Sequence, residues 1–66
     1  MAGLAQQIET FNLAYRLAWK YVSEEQKLQQ PNIARALHDS IRRKIKEGAT
    51  EPAFIASEAL TELGIS

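Results

Sequence analysis

Cysteine is absent from this 66-residue chain, and histidine occurs once. Without thiols there can be no disulfide staple and no thiolate metal centre. His38 alone cannot build an imidazole site, and no loop carries the spaced acidic residues of a calcium site, so neither a metal nor a cofactor is expected. An excess of charge is missing too. Eight Lys and Arg balance eight Asp and Glu, which leaves no net field to steer the whole chain toward nucleic acid or an anionic membrane. No apolar run reaches the roughly 18 residues that mark a membrane span. The opening Met1-Ala2-Gly3-Leu4 has neither the charged region nor the apolar core of a secretory signal, and a cytoplasmic location is expected. Alternating strand patterns, repeats and low-complexity stretches do not occur.

The charge that is present is patterned. Residues 1–30 are balanced, residues 31–48 set five bases against Asp39 and Glu47, and residues 49–66 carry only Glu51, Glu58 and Glu62. Arg35, Arg42 and Lys46 are spaced 7 and 4 apart, and Glu51, Glu58 and Glu62 repeat that spacing with opposite sign. On a helix each set falls on one face. The two stripes either pair with each other or stand free as surfaces for a partner.

The apolar residues predict an all-α fold. Leu4, Ile8, Phe11, Tyr15, Ala18 and Val22 alternate at intervals of 4 and 3, which places a first helix over about residues 3–22. Trp19 and Ala14 widen this stripe, while Leu13, Leu17 and Tyr21 form a second patch away from its axis. A helix apolar over so much of its circumference has to be covered from more than one direction. Ser23-Glu24-Glu25-Gln26 has the form of a capping box, so either the first helix bends there or a short helix occupies about 24–29.

Pro31 interrupts any continuous helix but suits a first turn. A second principal helix over about 32–47 follows, with Ile33, Leu37, Ile41 and Ile45 as its stripe and Gly48 as a left-handed C-cap. Thr50 is the expected cap of a third principal helix over about 51–63, with Glu51 and Pro52 in its first turn and Ile55, Ala56, Ala59, Leu60 and Leu63 inside. Gly64 before Ile65 predicts a Schellman ending. The expectation is a single helical domain, residues 1–66, with three principal helices.

Catalysis finds little support. His38-Asp39-Ser40 contains the residue types of a hydrolytic triad, but neighbours on a helix point about 100° apart and cannot converge. Glu24 and Glu25 are accounted for as first-turn acids. No Gly-rich phosphate loop or nucleophile elbow is present. The protein is expected not to be an enzyme.

The basic face of the second principal helix, Arg35, Arg42 and Lys46 with His38 and Arg43 flanking, could track phosphates. Asp39 lies within helical reach of Arg35, Arg42 and Arg43 and partly neutralises it. In a helix-turn-helix the following helix would do the reading, and that helix is acidic. Membrane binding through the first helix is not expected, because its polar strip is mixed in sign.

Size supplies the last bound. A chain this short buries only about 60% of the surface its unfolded form exposes. With disulfides and metals excluded, oligomerisation is the remaining device for stability. The sequence thus predicts a non-enzymatic interaction module that self-associates, a dimer being the expected form, with Leu13, Leu17, Trp19, Tyr21 and Phe54 as anchors. The charged stripes would set orientation or receive a protein partner. Nucleic-acid binding by the basic faces of a dimer is the alternative.

Overall fold

A computed structural model describes residues 3–65. It is all-α, with helices α1 (Leu4–Trp19), α2 (Glu24–Gln29), α3 (Ile33–Lys46) and α4 (Pro52–Glu62). The principal three, α1, α3 and α4, pack against one another, and short α2 packs on α3. The first turn of α1 lies beside the α3–α4 connection, where Gln6 and Thr10 border Gly48 and Ala49. At the other end Tyr21 borders Ile65. Helices α1 and α4 therefore run parallel, and α3 runs antiparallel to both.

The boundaries follow from local chemistry. Helix α1 stops at Trp19, earlier than its apolar repeat predicts, because Tyr21 and Val22 donate to the carbonyls of Ala18 and Trp19 in tighter three-residue turns. Ser23 then turns extended and opens α2. Its hydroxyl accepts from the Gln26 amide at 3.1 Å, and the Gln26 side-chain oxygen accepts from the Ser23 amide at 3.0 Å. This is the capping box the sequence predicts, and it decides between a bent helix and a new one. Gln30 leaves the helical region with φ −127° and ψ 82°, as the following proline favours, and α3 starts at Ile33 after a Pro31-Asn32 turn.

The cap of α4 differs from the expectation. Glu51 is the N-cap, not Thr50, with φ −91° and ψ 110° and no side-chain cap. Pro52 is the cause, since its ring excludes the helical region for the residue before it. Both predicted glycine endings are present. Gly48 and Gly64 have φ of 106° and 76°, and in each case the following residue donates back to a carbonyl five positions earlier: Ala49 to Lys44 at 3.0 Å and Ile65 to Leu60 at 2.8 Å.

The core is small. Leu37, Ile41 and Ile55 are its largest fully buried apolar side chains, joined by Ala14, Ala18, Ala56 and Ala59. Val22, Ile33 and Ile65 form a second cluster near α2, and Trp19, Leu60 and Leu63 touch both clusters. The stripe of α3 is buried as expected through Ile33, Leu37 and Ile41, with Ile45 half-buried.

On α1 the centre of burial is displaced from the expected stripe. Ala14 and Ala18 are fully buried, Phe11 and Tyr15 are half-buried, and Leu4 and Ile8 are exposed. The physical reason is that two helices pack against α1 at once. Its closest approach falls where side chains are smallest, and larger residues move to the two flanks. Among the described residues, no helix is long and apolar enough to cross a membrane.

Candidate interaction surfaces

Helix α1 projects apolar residues on both flanks of its alanine spine. On the α4 flank, Leu17 and Tyr21 face Ala53, Ala56, Ser57 and Leu60 across a groove of about 340 Å³. The small residues of α4 make the groove by leaving room between the helices. Leu13 stands one turn before Leu17 on the same face of α1 and is 44% exposed; Tyr21, at the end of the groove, is 69% exposed.

The other expected anchors lie elsewhere. Trp19 is half-buried and turned to the opposite side of α1, its ring stacked on Tyr15 at 5.7 Å, with the Lys27 ammonium 4.7 Å from the ring centroid. Phe54 is 58% exposed on the side of α4 facing away from the core. At about 100° per residue it lies roughly 150° from the centre of the arc formed by Ile55, Ala56 and Ala59. The structure thus brings Leu17 and Tyr21 together at one groove, with Leu13 beside them, and separates Trp19 and Phe54 from it.

The α3 flank of α1 forms a second surface that the sequence reading missed. Leu4 and Ile8, 73% and 53% exposed, border a hollow of about 370 Å³ with Phe11, His38, Arg42 and Ile45. A broader hollow of about 550 Å³ continues along Phe11, Tyr15, Arg35 and His38. The Phe11 and His38 rings meet edge-on, with centroids 4.7 Å apart and planes at 65°. One wall of this cleft is apolar and belongs to α1. The other is basic and belongs to α3, interrupted by Asp39, whose carboxylate lies 3.6 Å from His38 Nδ1.

The two charged stripes do not pair with each other in the arrangement that a simple hairpin would give. Arg35, Arg42 and Lys46 are exposed, and so are Glu51 and Glu58; none of them takes part in an ion pair among the described residues. The reason is angular. The basic row lies almost opposite Leu37 on α3, whereas Arg43 and Lys44 flank the buried Ser40 on the side nearest α4. Those two reach Glu62: Lys44 Nζ is 2.7 Å from one carboxylate oxygen, and Arg43 is 3.1 Å from the other.

The Lys44 hydrogen bond is the main influence that holds the Glu62 carboxyl below its usual titration range. The charges of Lys44 and Arg43 add to it, and partial burial works against them. The Ser40 hydroxyl is buried without a partner at full hydrogen-bond geometry, and its approach to Glu62 contributes the smallest of these pulls. Ser40 therefore points toward α4 while His38 faces α1 and Asp39 faces solvent. These three side chains form no triad.

Among the described residues, no group of three or more His, Asp or Glu side chains is placed to hold a metal ion. Comparison with protein-family models, with curated proteins and with solved structures gives no match.

Proposed function

We propose that the protein is a small helical interaction module that self-associates through α1. One observation carries this reading: the longest helix of the bundle fully buries only two alanines, while Leu4, Ile8 and Leu13 remain exposed along it and Tyr21 just past its end. Scattered apolar residues on a surface need no explanation. Here they cluster on both flanks of one element, beside grooves that admit further side chains. The mechanism is association, with no chemistry of its own. The exposed charges contribute orientation and partner choice more than affinity.

The test is sedimentation equilibrium over a wide concentration range, on the wild type and on Leu13→Glu and Ile8→Glu. Both positions are exposed, so the substitutions leave the core untouched. The expected outcome is a wild-type mass that rises with concentration and a rise that is lost in one or both variants. A wild type that stays monomeric to millimolar concentration would overturn the reading.

The unpaired basic row supports a second reading, in which assembled copies bind a nucleic-acid duplex through Arg35, Arg42 and Lys46. That reading requires salt-sensitive duplex binding by the wild type at low ionic strength, lost in Arg42→Glu without a change of mass. Absence of such binding in the wild type eliminates it.

A further inference from the structure

We propose that the association is head-to-tail, with the outer face of α4 of one copy, Glu51, Phe54 and Glu58, docked on the α1/α3 cleft of the next. This rests on the self-association proposed above and names the two surfaces that meet.

Charge is left over inside one chain. Glu62 takes up Arg43 and Lys44, so the internal pairing between α3 and α4 is complete at that edge. Among the charges left unpaired are a basic pair, Arg35 and Arg42, bordering the cleft, and an acidic pair, Glu51 and Glu58, on the outer side of α4 and its N-cap. Each pair is seven residues apart, which is about 10.5 Å along a helix axis at 1.5 Å per residue. The two rows therefore match in length as well as in sign.

Apolar side chains lie between the charges. Phe54 stands between Glu51 and Glu58 and is more than half exposed. Between Arg35 and Arg42 the cleft offers Phe11 and Tyr15 beside His38 and Asp39, and toward Ile45 it widens into a hollow walled by Leu4 and Ile8. An aromatic side chain flanked by acids on one copy thus meets a cleft on the other whose aromatic wall, Phe11 and Tyr15, faces a row of bases interrupted by Asp39. Such an arrangement puts an anchor at the centre and a polar rim around it, as stable interfaces do.

Charge also selects the geometry. Two clefts packed face to face across a two-fold axis would bring Arg35 and Arg42 of both copies together, and two α4 faces would bring the glutamates together. Like charges oppose both arrangements. The cleft is walled by α1 and α3 alone, and α4 packs on those helices from the other side with Phe54 directed away from them. The complementary faces therefore lie on opposite sides of the molecule. A contact of this kind is heterologous and repeats, giving a ring or an open chain in place of the closed dimer expected from the sequence.

The experiment uses two double variants of the full chain, Glu51→Arg with Glu58→Arg and Arg35→Glu with Arg42→Glu. All four side chains are exposed and unpaired, and circular dichroism checks that each variant keeps its helical content. Under low-salt conditions in which the wild type exceeds dimer mass, each variant alone is expected to sediment as a monomer. Mixed in equal amounts, the two should recover a weight-average mass at least twofold above monomer, because each restores opposite charges across the contact. Association of either variant alone at the wild-type level would overturn the head-to-tail contact and leave self-association through α1 standing. Failure of the mixture to associate would overturn it as well. A wild type that is monomeric throughout would remove both proposals together.

Discussion

Lys44 and Glu62, eighteen residues apart, are joined by a 2.7 Å ion pair that ties α3 to the last turn of α4. Because this contact lowers the Glu62 pKa from its ordinary 4.5, the folded state binds that proton less readily than the unfolded chain. Its contribution is fully present above the ordinary value and is lost as pH falls through the lower, folded one. The melting temperature of Glu62→Gln should therefore lie below that of the wild type near neutral pH, with the gap narrowing as pH falls below 4.5. A gap that is constant across this range would dissociate the stability of the contact from the charge on Glu62.

Ala18→Leu tests the alanine spine of α1. Ala18 is fully buried where α1 meets its neighbours, and a leucine there has to push helices apart or adopt a strained rotamer. The expected cost is about 1–3 kcal/mol, read from urea denaturation. Ala5→Leu, at an exposed site on the same helix, serves as the control and should change stability by no more than about 0.5 kcal/mol.

Gly64→Ala tests the left-handed ending of α4. A Cβ at Gly64 meets no atom within 4 Å, so any loss of stability comes from the φ of 76° and not from crowding. Destabilisation of about 1–2 kcal/mol is expected. Gly64→Asn should cost less, because asparagine tolerates this region better. Equal losses for the two variants would point to a different origin.

Ser23→Ala removes one half of the capping box at the start of α2. Helix α2 fully buries no residue, so its own capping matters more than packing to its local order. Amide hydrogen exchange should accelerate by about fivefold across residues 24–29, corresponding to a cap worth about 1 kcal/mol. Exchange in α3 is expected to change much less. Uniform acceleration across the chain would show that α2 and the bundle open as one unit.

The positions of the helices were largely legible because their punctuation is strong. Ser23-Gln26, Pro31, Gly48, Pro52 and Gly64 each mark a boundary within one or two residues of where the structure has it. The face of α1 was less legible. Counting apolar residues centred the stripe near Phe11 and Tyr15, which put Leu4 and Ile8 inside. The polar strip of Glu9, Asn12, Arg16 and Lys20 was the better guide: the direction opposite its centre, at about 100° per residue, falls between Ala14 and Ala18. Small residues carry little weight in a hydrophobic count even where they mark the closest approach of backbones.

The charged stripes show the same limit in another form. Sequence spacing identified rows of equal length and opposite sign but could not assign partners, since that depends on how α3 is rotated against α4. The rotation places Lys44 and Arg43 at the contact with Glu62, and Lys44 lay outside the predicted stripe altogether. The α1/α3 cleft was hidden for a related reason. It exists only because α1 turns its alanines inward and leaves Leu4 and Ile8 on the rim.

Under the self-association proposed above, that inward turn of Ala14 and Ala18 ties folding to mass action. A helix that fully buries two alanines, half-buries Phe11, Tyr15, Leu17 and Trp19, and leaves Leu4, Ile8 and Leu13 largely in water would gain further support from each contact made with another copy. Ligand-like linkage follows, with the other copies acting as the ligand: anything that binds the native form alone shifts unfolding in proportion to the logarithm of its concentration. Dilution should then do to this protein what mild denaturant does to larger ones, lowering its melting temperature while its sequence and buffer stay the same.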